Sequence, residues 1–148
     1  MIVRELTRSD LVEIAEWRYD GPWQVYDSAG LLDPADGYWA VVDEERLVGY
    51  CCVGVEARVP GLGESPGVVD IGVGMDPALV GRGLGERFGS AVVARFGPGP
   101  LRAVVQEWNE RSLRLTRWLG FVETGRHHCE QDGKDVEYVV LMRDAKQS

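Results

Sequence analysis

Hydrophobic positions along the chain follow two different spacings, and the change between them is clearest in the second half. Residues 68–75 alternate apolar with small or polar side chains, which predicts a strand. Apolar residues recur at helical spacing over residues 84–96, and residues 101–106 return to a β-branched strand pattern. Asn109 is a favourable N-cap residue, so we expect another helix directly after it.

The two ends of the chain add further strands and one helix. Apolar runs separated by turn residues predict strands over residues 2–6, 38–42, 47–55, 121–128 and 135–142. Asp10 and Glu13 have the spacing of a capping box, which predicts a helix capped by Asp10. A Gly-Pro pair interrupts the aromatic-rich residues 17–27, so we expect a helix end and a loop there.

The order of these elements predicts an α/β fold built on one mixed sheet. Strands alternate with helices in the second half, whereas the hairpins are antiparallel, and helices are expected on both faces of the sheet. A length of 148 residues suits one domain with a sizeable core. Because no internal repeat or low-complexity tract is evident, residues 1–148 are interpreted as a single domain.

Composition and charge exclude some classes of function. The formal net charge of −8 argues against a nucleic-acid partner, since such surfaces normally carry a basic stripe. No apolar segment reaches membrane-spanning length, and the N-terminus lacks the apolar stretch of a signal peptide, so no membrane partner is expected. Three cysteines, two of them adjacent, do not form the pattern of a disulfide framework, which favours a reducing cytoplasmic location.

The stretch P-A-L-V-G-R-G-L-G, residues 77–85, lies between a predicted strand and a predicted helix. Glycines let the backbone approach a phosphate, and a helix N-terminus adds unpaired N–H groups and partial positive charge. A plain flexible turn would explain the glycines equally well. The spacing does not match the dinucleotide pattern G-x-G-x-x-G, and no Gly-Lys-Ser/Thr follows, which excludes both common nucleotide loops.

Two segments together resemble the cofactor motifs of the GCN5-related N-acetyltransferase (GNAT) family. V-G-R-G-L-G resembles the family's pyrophosphate loop, with Gly83 and Gly85 at its two small positions, whereas Val80 departs from the usual Gln or Arg. Residues 109–121 resemble the second motif, which begins with asparagine and ends with Gly-Phe. The resemblance implies the GNAT fold, an α/β mixed sheet of about seven strands with helices on both faces.

By this resemblance, the chain binds acetyl-CoA as co-substrate and moves the acetyl group directly to a primary amine, without a metal. The N–H of Met75 is expected to stabilise the developing oxyanion. Gly72 and Gly74 independently fit a strand that a ligand approaches closely. The expected cofactor-binding residues are Met75, Val80, Gly81, Arg82, Gly83, Leu84, Gly85, Asn109 and Ser112.

Proton transfer requires further groups. Where many family members have an acidic tyrosine, this chain has Thr116, whose hydroxyl could orient a water or donate to the sulfur. Asp70 is the preferred base, and a carboxylate that is already satisfied by backbone N–H groups is an equal alternative. Tyr138 is a substitute acid and Glu107 another choice of base.

The sequence His127-His128-Cys129 raises the question of a metal site. Neighbouring strand residues point to opposite faces, so the three side chains cannot converge on one ion, and no second ligand pair is evident. We therefore expect no metal, and at most one of the two histidines to face the site.

Trp23, Tyr26 and Asp27 lie where the family's acceptor pocket is roofed, and aromatic rings with carboxylates suit a cationic amine. The acceptor is expected to be a small-molecule amine or a peptide or protein N-terminus. The alternative function is a non-catalytic acyl-CoA-binding sensor or interaction module on the same fold. In this family the last strand pair can also form the edge of a homodimer.

Overall fold

The computed structural model describes residues 1–28 and 30–145. Within these residues it contains seven strands and three α-helices. The strands are β1 Ile2–Arg4, β2 Tyr38–Asp43, β3 Arg46–Val53, β4 Val69–Met75, β5 Leu101–Gln106, β6 Val122–Gln131 and β7 Lys134–Arg143. The helices are α1 Arg8–Ala15, α2 Gly85–Phe96 and α3 Glu110–Trp118.

All seven strands of the described chain form one mixed sheet in the order β1-β2-β3-β4-β5-β7-β6. Neighbouring strands are antiparallel except for β4 and β5, which run parallel. Parallel neighbours need a crossover connection, and α2 supplies it between β4 and β5. The predicted mixed sheet is confirmed, and its single parallel pair lies at the centre of the fold.

Helices cover both faces of the sheet, as the sequence predicted. Phe88 and Val92 of α2 and Leu113 of α3 pack in the larger core cluster, together with Val41 of β2. Ile14 of α1 packs in a second cluster with residues of β2 and β3. Successive residues of β2 therefore serve opposite cores, which follows from the period of two along a strand.

The helix ends correct one prediction and confirm another. Thr7, not Asp10, is the N-cap of α1: its hydroxyl accepts from the Asp10 N–H, and Asp10 Oδ2 accepts from the Thr7 N–H at 2.8 Å. The capping box is thus real but begins three residues earlier than predicted, because Thr7 and Asp10 are both capping residues. At the end of α3, Gly120 has a φ of 96° and Phe121 N–H bonds to Thr116 C=O, as in a Schellman ending.

Two further features concern the predictions about a membrane partner and about the edge of the sheet. In the parts of the chain that the structure describes, none of the helices has the length and apolar character needed to cross a membrane. At the outer edge of the sheet, β6 is ten residues long and pairs with β7 along its length.

Candidate active site

The parallel strands β4 and β5 pair at one end and separate at the other. Their register joins Val69 to Leu101 and Asp70 to Arg102, and the pairing stops there. Continuing the same offset would set Met75 beside Glu107, but β4 is paired beyond Asp70 only with β3. The sheet therefore opens into a gap between the carboxyl ends of two central strands, a location where α/β folds commonly bind ligands.

The backbone of Met75 faces this gap. Asp76 N–H donates to Val48 C=O at 2.8 Å, so Val48 and Asp76 are a hydrogen-bonded pair of the antiparallel β3–β4 ladder. Because such ladders alternate, the N–H and C=O of Met75 point away from β3 and toward the gap. The Met75 N–H is therefore a backbone donor directed into the gap.

Gly74 allows a close approach on one face of β4. It pairs with Tyr50 of β3, and a Cβ at position 74 would collide with the Tyr50 ring. Trp17 stacks against the Tyr50 ring, at 6.2 Å between centroids. The glycine thus lets a large aromatic side chain pack directly against the β4 backbone.

The glycine loop leads from β4 to α2 with its backbone accessible. Leu79 is buried in the main core and anchors the loop, whereas Gly81, Arg82 and Gly83 are exposed. Gly81 and Gly83 have φ values of 81° and 78°, which side-chain-bearing residues rarely adopt, and a Cβ at either position would meet only open space. These glycines therefore keep an exposed stretch of backbone free for a ligand.

The start of α2 differs from the starts of the other two helices. Thr7 caps α1 and Asn109 caps α3 through side-chain hydrogen bonds. Leu84 stands at the corresponding position of α2 and has no side-chain group to cap it. The first-turn N–H groups of a twelve-residue helix are consequently available to an anion, directly after the exposed glycines.

Asn109 lies past the end of β5, opposite the end of β4. Its side chain is buried, with Oδ1 accepting from the Ser112 N–H at 3.2 Å and Nδ2 donating to the Tyr26 hydroxyl at 3.0 Å. The predicted capping role is present, and the amide also binds the aromatic segment that precedes β2. Ser112, half-buried in the first turn of α3, lies beside it.

Three aromatic rings gather next to Asn109. Trp108 lies 5.7 Å from Trp23 and 6.1 Å from Tyr26, measured between ring centroids. The Arg111 guanidinium stacks over the Trp23 ring at 4.7 Å. The structure thus brings together the predicted acceptor residues Trp23 and Tyr26, but one face of Trp23 already carries a cation of the protein itself.

Asp27 is the exception among the predicted acceptor residues. Its Oδ1 accepts from the Tyr19 N–H at 2.8 Å, and this bond joins the two ends of the segment 19–27. At the start of this segment, the Tyr19 hydroxyl donates to Met75 C=O at 2.6 Å. Asp27 therefore orders the loop, and the contact with β4 is made by Tyr19.

Asp70 has surroundings that do not favour the expected role of a base. Its side chain is only 3% exposed. Oδ1 accepts from Arg102 Nε at 2.6 Å, and Oδ2 accepts from Arg58 Nε at 2.7 Å and from Arg102 Nη2 at 3.2 Å. The partners are guanidinium groups, not the backbone N–H groups of the alternative interpretation, and they join β4 to β5 at the last paired position.

The two candidate acids also have other partners. Thr116 Oγ1 donates to Ser112 C=O at 2.7 Å inside α3, so its proton is directed along the helix. The Tyr138 hydroxyl donates to Gln131 Oε1 at 2.5 Å, and burial raises the pKa of this phenol. Neither hydroxyl donates toward the gap in this structure.

The remaining titratable candidates, Glu107 and the two histidines, each contact another part of the protein. Glu107 directly follows β5, is exposed, and has Arg126 Nη1 3.4 Å from its Oε2. His127 Nε2 lies 2.7 Å from Pro60 C=O, and His128 lies 3.5 Å from Asp135. The backbone of Glu107 occupies the register position opposite Met75, whereas its carboxylate contacts Arg126 of β6, on the side of β5 away from β4.

Sequence reasoning missed Trp108 and the contact between Tyr19 and Met75. Both tryptophans are evident in the sequence, but no periodicity connects Trp108 with Trp23, which lies in another part of the chain. Arg58 and Arg102 were missed as partners of Asp70 for the same reason. A buried acidic residue in a strand was the available signal, because such a charge normally requires a partner.

Comparison with known proteins agrees with this geometry. The model of the acetyltransferase (GNAT) family matches residues 3–121. An acetyltransferase of this family from Bacillus anthracis has a TM-score of 0.72 at 15% identity, with 98% of this chain and 95% of that chain covered. No curated protein matches the chain in this comparison.

Two further solved structures share the fold. The ribosomal-protein-alanine N-acetyltransferase of Brucella melitensis has a TM-score of 0.68 at 17% identity, covering 97% of this chain and 99% of its own. A Salmonella typhimurium protein described as an acetyltransferase, solved with its cofactor acetyl-CoA, has a TM-score of 0.67 at 18% identity and coverages of 99% and 94%. Because the family model spans most of its length, the chain belongs to the acetyltransferase (GNAT) family.

Proposed function

We propose that the protein is an acetyl-CoA-dependent N-acetyltransferase that moves the acetyl group directly to a primary amine. The observation that carries this proposal is the gap between β4 and β5, toward which the Met75 N–H points. Family membership supports acyltransfer, and the Salmonella structure contains acetyl-CoA. The Brucella protein, named for acetylating an alanine of a ribosomal protein, makes a peptide or protein N-terminus a reasonable acceptor to test beside small amines.

The glycine loop fits the phosphate end of acetyl-CoA. The exposed backbone at Gly81 and Gly83 and the uncapped first turn of α2 offer N–H donors without a side chain in the way. Arg82 is exposed and adds a cation, whereas Val80 contributes backbone alone. Leu84 and Gly85 complete the loop, and Asn109 with Ser112 would border the acyl arm on the β5 side.

At the reacting end, acetyl-CoA would supply a thioester, whose carbonyl carbon is attacked by the amine while the carbon–sulfur bond breaks. Met75 N–H would donate to the oxygen on which negative charge develops. The attacking amine must lose a proton, and Glu107 is the exposed carboxylate that directly follows β5, with its Oε2 3.4 Å from Arg126 Nη1 of β6. Since a thiol of pKa near 8.5 is a tolerable leaving group, no strong acid is required.

One observation favours the alternative of an acyl-CoA sensor. Thr116 and Tyr138, the two candidate acids, both donate to protein acceptors instead of the gap. The two functions differ in turnover, so the release of free coenzyme thiol must be measured with a panel of small amines and N-terminal peptides. Amine-dependent thiol release supports the enzyme, whereas binding of acetyl-CoA without release across the panel supports the sensor.

Binding itself is tested by thermal unfolding with and without acetyl-CoA. A ligand of the native state raises the melting temperature, and at a concentration of 100 Kd the stabilisation is about 2.7 kcal/mol. ATP and NAD serve as controls for a general nucleotide site. A melting temperature unchanged by millimolar acetyl-CoA would count against both functions.

A further inference from the structure

Residues 19–27 contact the end of β4 and the N-cap of α3, which follows β5. At one end, the Tyr19 hydroxyl donates to Met75 C=O of β4 at 2.6 Å. At the other end, the Tyr26 hydroxyl accepts from Asn109 Nδ2 at 3.0 Å, just beyond β5. The bond from Tyr19 N–H to Asp27 Oδ1, at 2.8 Å, ties the two ends of the segment together.

We propose that this segment, residues 19–27, is a strap across the open end of the β4–β5 pair, and that Tyr19 is a positioning residue for the Met75 backbone. The proposal rests on the proposed function for its catalytic consequence. It assigns no proton transfer to Tyr19. Its structural content, the fastening of the strap to β4, can be tested without any substrate.

The contact replaces a missing strand partner. Past Asp70, β5 no longer pairs with β4, and the N–H and C=O of Met75 face the resulting gap. An unpaired backbone carbonyl in a half-buried place is costly, and the Tyr19 hydroxyl satisfies it. The strap thus stabilises the separated arrangement of β4, in which the Met75 N–H stays free for a ligand.

The chemistry of the Tyr19 side chain suits a permanent donor. Burial raises the pKa of its phenol, and nearby acidic groups, Tyr50, Asp76 and Asp27, raise it further. The hydroxyl consequently keeps its proton through the neutral and mildly alkaline range. Because that proton is directed at Met75 C=O, Tyr19 orients the backbone and does not serve as the missing acid.

The position of the strap also bears on water. Trp23 and Tyr26 lie beside Trp108, which follows β5, so the strap adds apolar surface on the side of the gap where the proposed function places the amine. Excluding water from a reactive acyl group suppresses hydrolysis relative to transfer. A loosened strap should therefore lower amine transfer and raise the fraction of acetyl groups lost to water.

The test compares Tyr19→Phe with Tyr38→Phe. Each change removes one hydroxyl, and the Tyr38 hydroxyl reaches only Glu56, at 3.4 Å on an exposed surface. In Tyr19→Phe we expect kcat for the amine to fall roughly tenfold, the usual worth of one well-placed hydrogen bond, while the Kd of acetyl-CoA changes less than about twofold. Hydrolysis per transfer should increase in the same variant, whereas Tyr38→Phe should match wild type in every respect.

A second measurement needs no catalysis. Amide hydrogen exchange without ligand should become roughly tenfold faster over residues 19–27 in Tyr19→Phe, and should stay unchanged there in Tyr38→Phe. Equal amide exchange over residues 19–27 and equal kcat in the two variants would overturn the proposal that this segment is a strap. If wild type releases no thiol but exchange responds as expected, the proposed function fails and the strap stands.

Discussion

The two halves of the β4–β5 pair differ in how they are held together. At the closed half, Asp70 and Arg102 face each other across the strands and form a buried ion pair, which Arg58 completes. At the open half, Met75 has no partner on β5, and a tyrosine from a distant segment binds its carbonyl instead. One half uses opposite charges to join the strands, and the other leaves backbone donors free.

This difference indicates that the two halves of the strand pair have different roles. A gap in the middle of a sheet exposes backbone groups and would weaken the fold unless the strands were fixed nearby. The ion pair lies at the last paired position, directly where the strands begin to separate. We interpret the closed half as the support that lets the open half remain open.

The largest expected effect comes from breaking the closed half. Asp70→Asn would leave the nearly buried Arg102 guanidinium without its countercharge and Arg58 with only the exposed Glu64, and should lower the free energy of unfolding by about 3 kcal/mol. Asp43→Asn is the matched control, because the Asp43–Arg87 pair is exposed and should be worth less than about 1 kcal/mol. Urea unfolding of both variants measures the difference.

The same variant separates support from catalysis. If Asp70 only holds the strands, Asp70→Asn should keep the pH profile of kcat at a temperature where the variant is fully folded. Stability equal to wild type together with loss of the acidic limb of the profile would restore Asp70 as the base.

The next effect concerns the phosphate end of the open half. Gly83→Glu places a negative side chain among the exposed loop N–H groups and should weaken acetyl-CoA binding by roughly 30-fold, the size of a cost of about 2 kcal/mol. Gly133→Glu is the control, since Gly133 has a φ of 76°, close to the 78° of Gly83, and equally open surroundings in the β6–β7 turn. Titration calorimetry on both variants distinguishes loss of the site from backbone strain, and equal affinities would show that the loop is not the site.

A smaller effect is expected where the strap meets β5. Asn109→Ser keeps a side chain that can cap α3 but is too short to reach Tyr26. Its KM for the amine should rise about fivefold and its free energy of unfolding should fall by no more than about 1 kcal/mol, because the hydrogen bond to Tyr26 is lost while the cap is kept. Asn109→Ala also loses the cap and should additionally lose about 1 kcal/mol of stability. A KM for the amine that is unchanged in both variants would show that Asn109 does not contribute to binding of the amine.

The smallest effect is expected for Thr116. Thr116→Val removes a hydroxyl that donates to Ser112 C=O within α3, so kcat should change less than about twofold. Steady-state thiol release at several pH values provides the measurement. A tenfold decrease in kcat would instead show that the hydroxyl turns toward the reacting sulfur during turnover.

Local patterns were sufficient to predict the main strands and helices and the glycine loop between β4 and α2. The strand period of residues 68–75 and the helical spacing of residues 84–96 are properties of neighbouring residues, and the structure has a strand over Val69–Met75 and a helix over Gly85–Phe96. The capping box of α1 shows the limit of such rules. Two capping residues three positions apart were both acceptable, and only the folded geometry selects Thr7.

The contacts that define the open half could not be predicted in this way. Tyr19 and Met75 are 56 residues apart, and Asp70 and Arg102 are 32 apart. Neither spacing repeats along the chain, so hydrophobic periodicity carries no information about them. Asp70 was consequently interpreted as a base from its strand position, although two distant arginines occupy its carboxylate.

The most direct test of the account is residue-resolved amide hydrogen exchange with and without acetyl-CoA. We expect Met75 and the first turn of α2 to become protected when acetyl-CoA is added, while Asp70 and Arg102 in the closed half exchange as slowly as before. That result would show that the ligand occupies the gap between β4 and β5. Protection confined to other parts of the chain, or none at saturating acetyl-CoA, would contradict the assignment of the site.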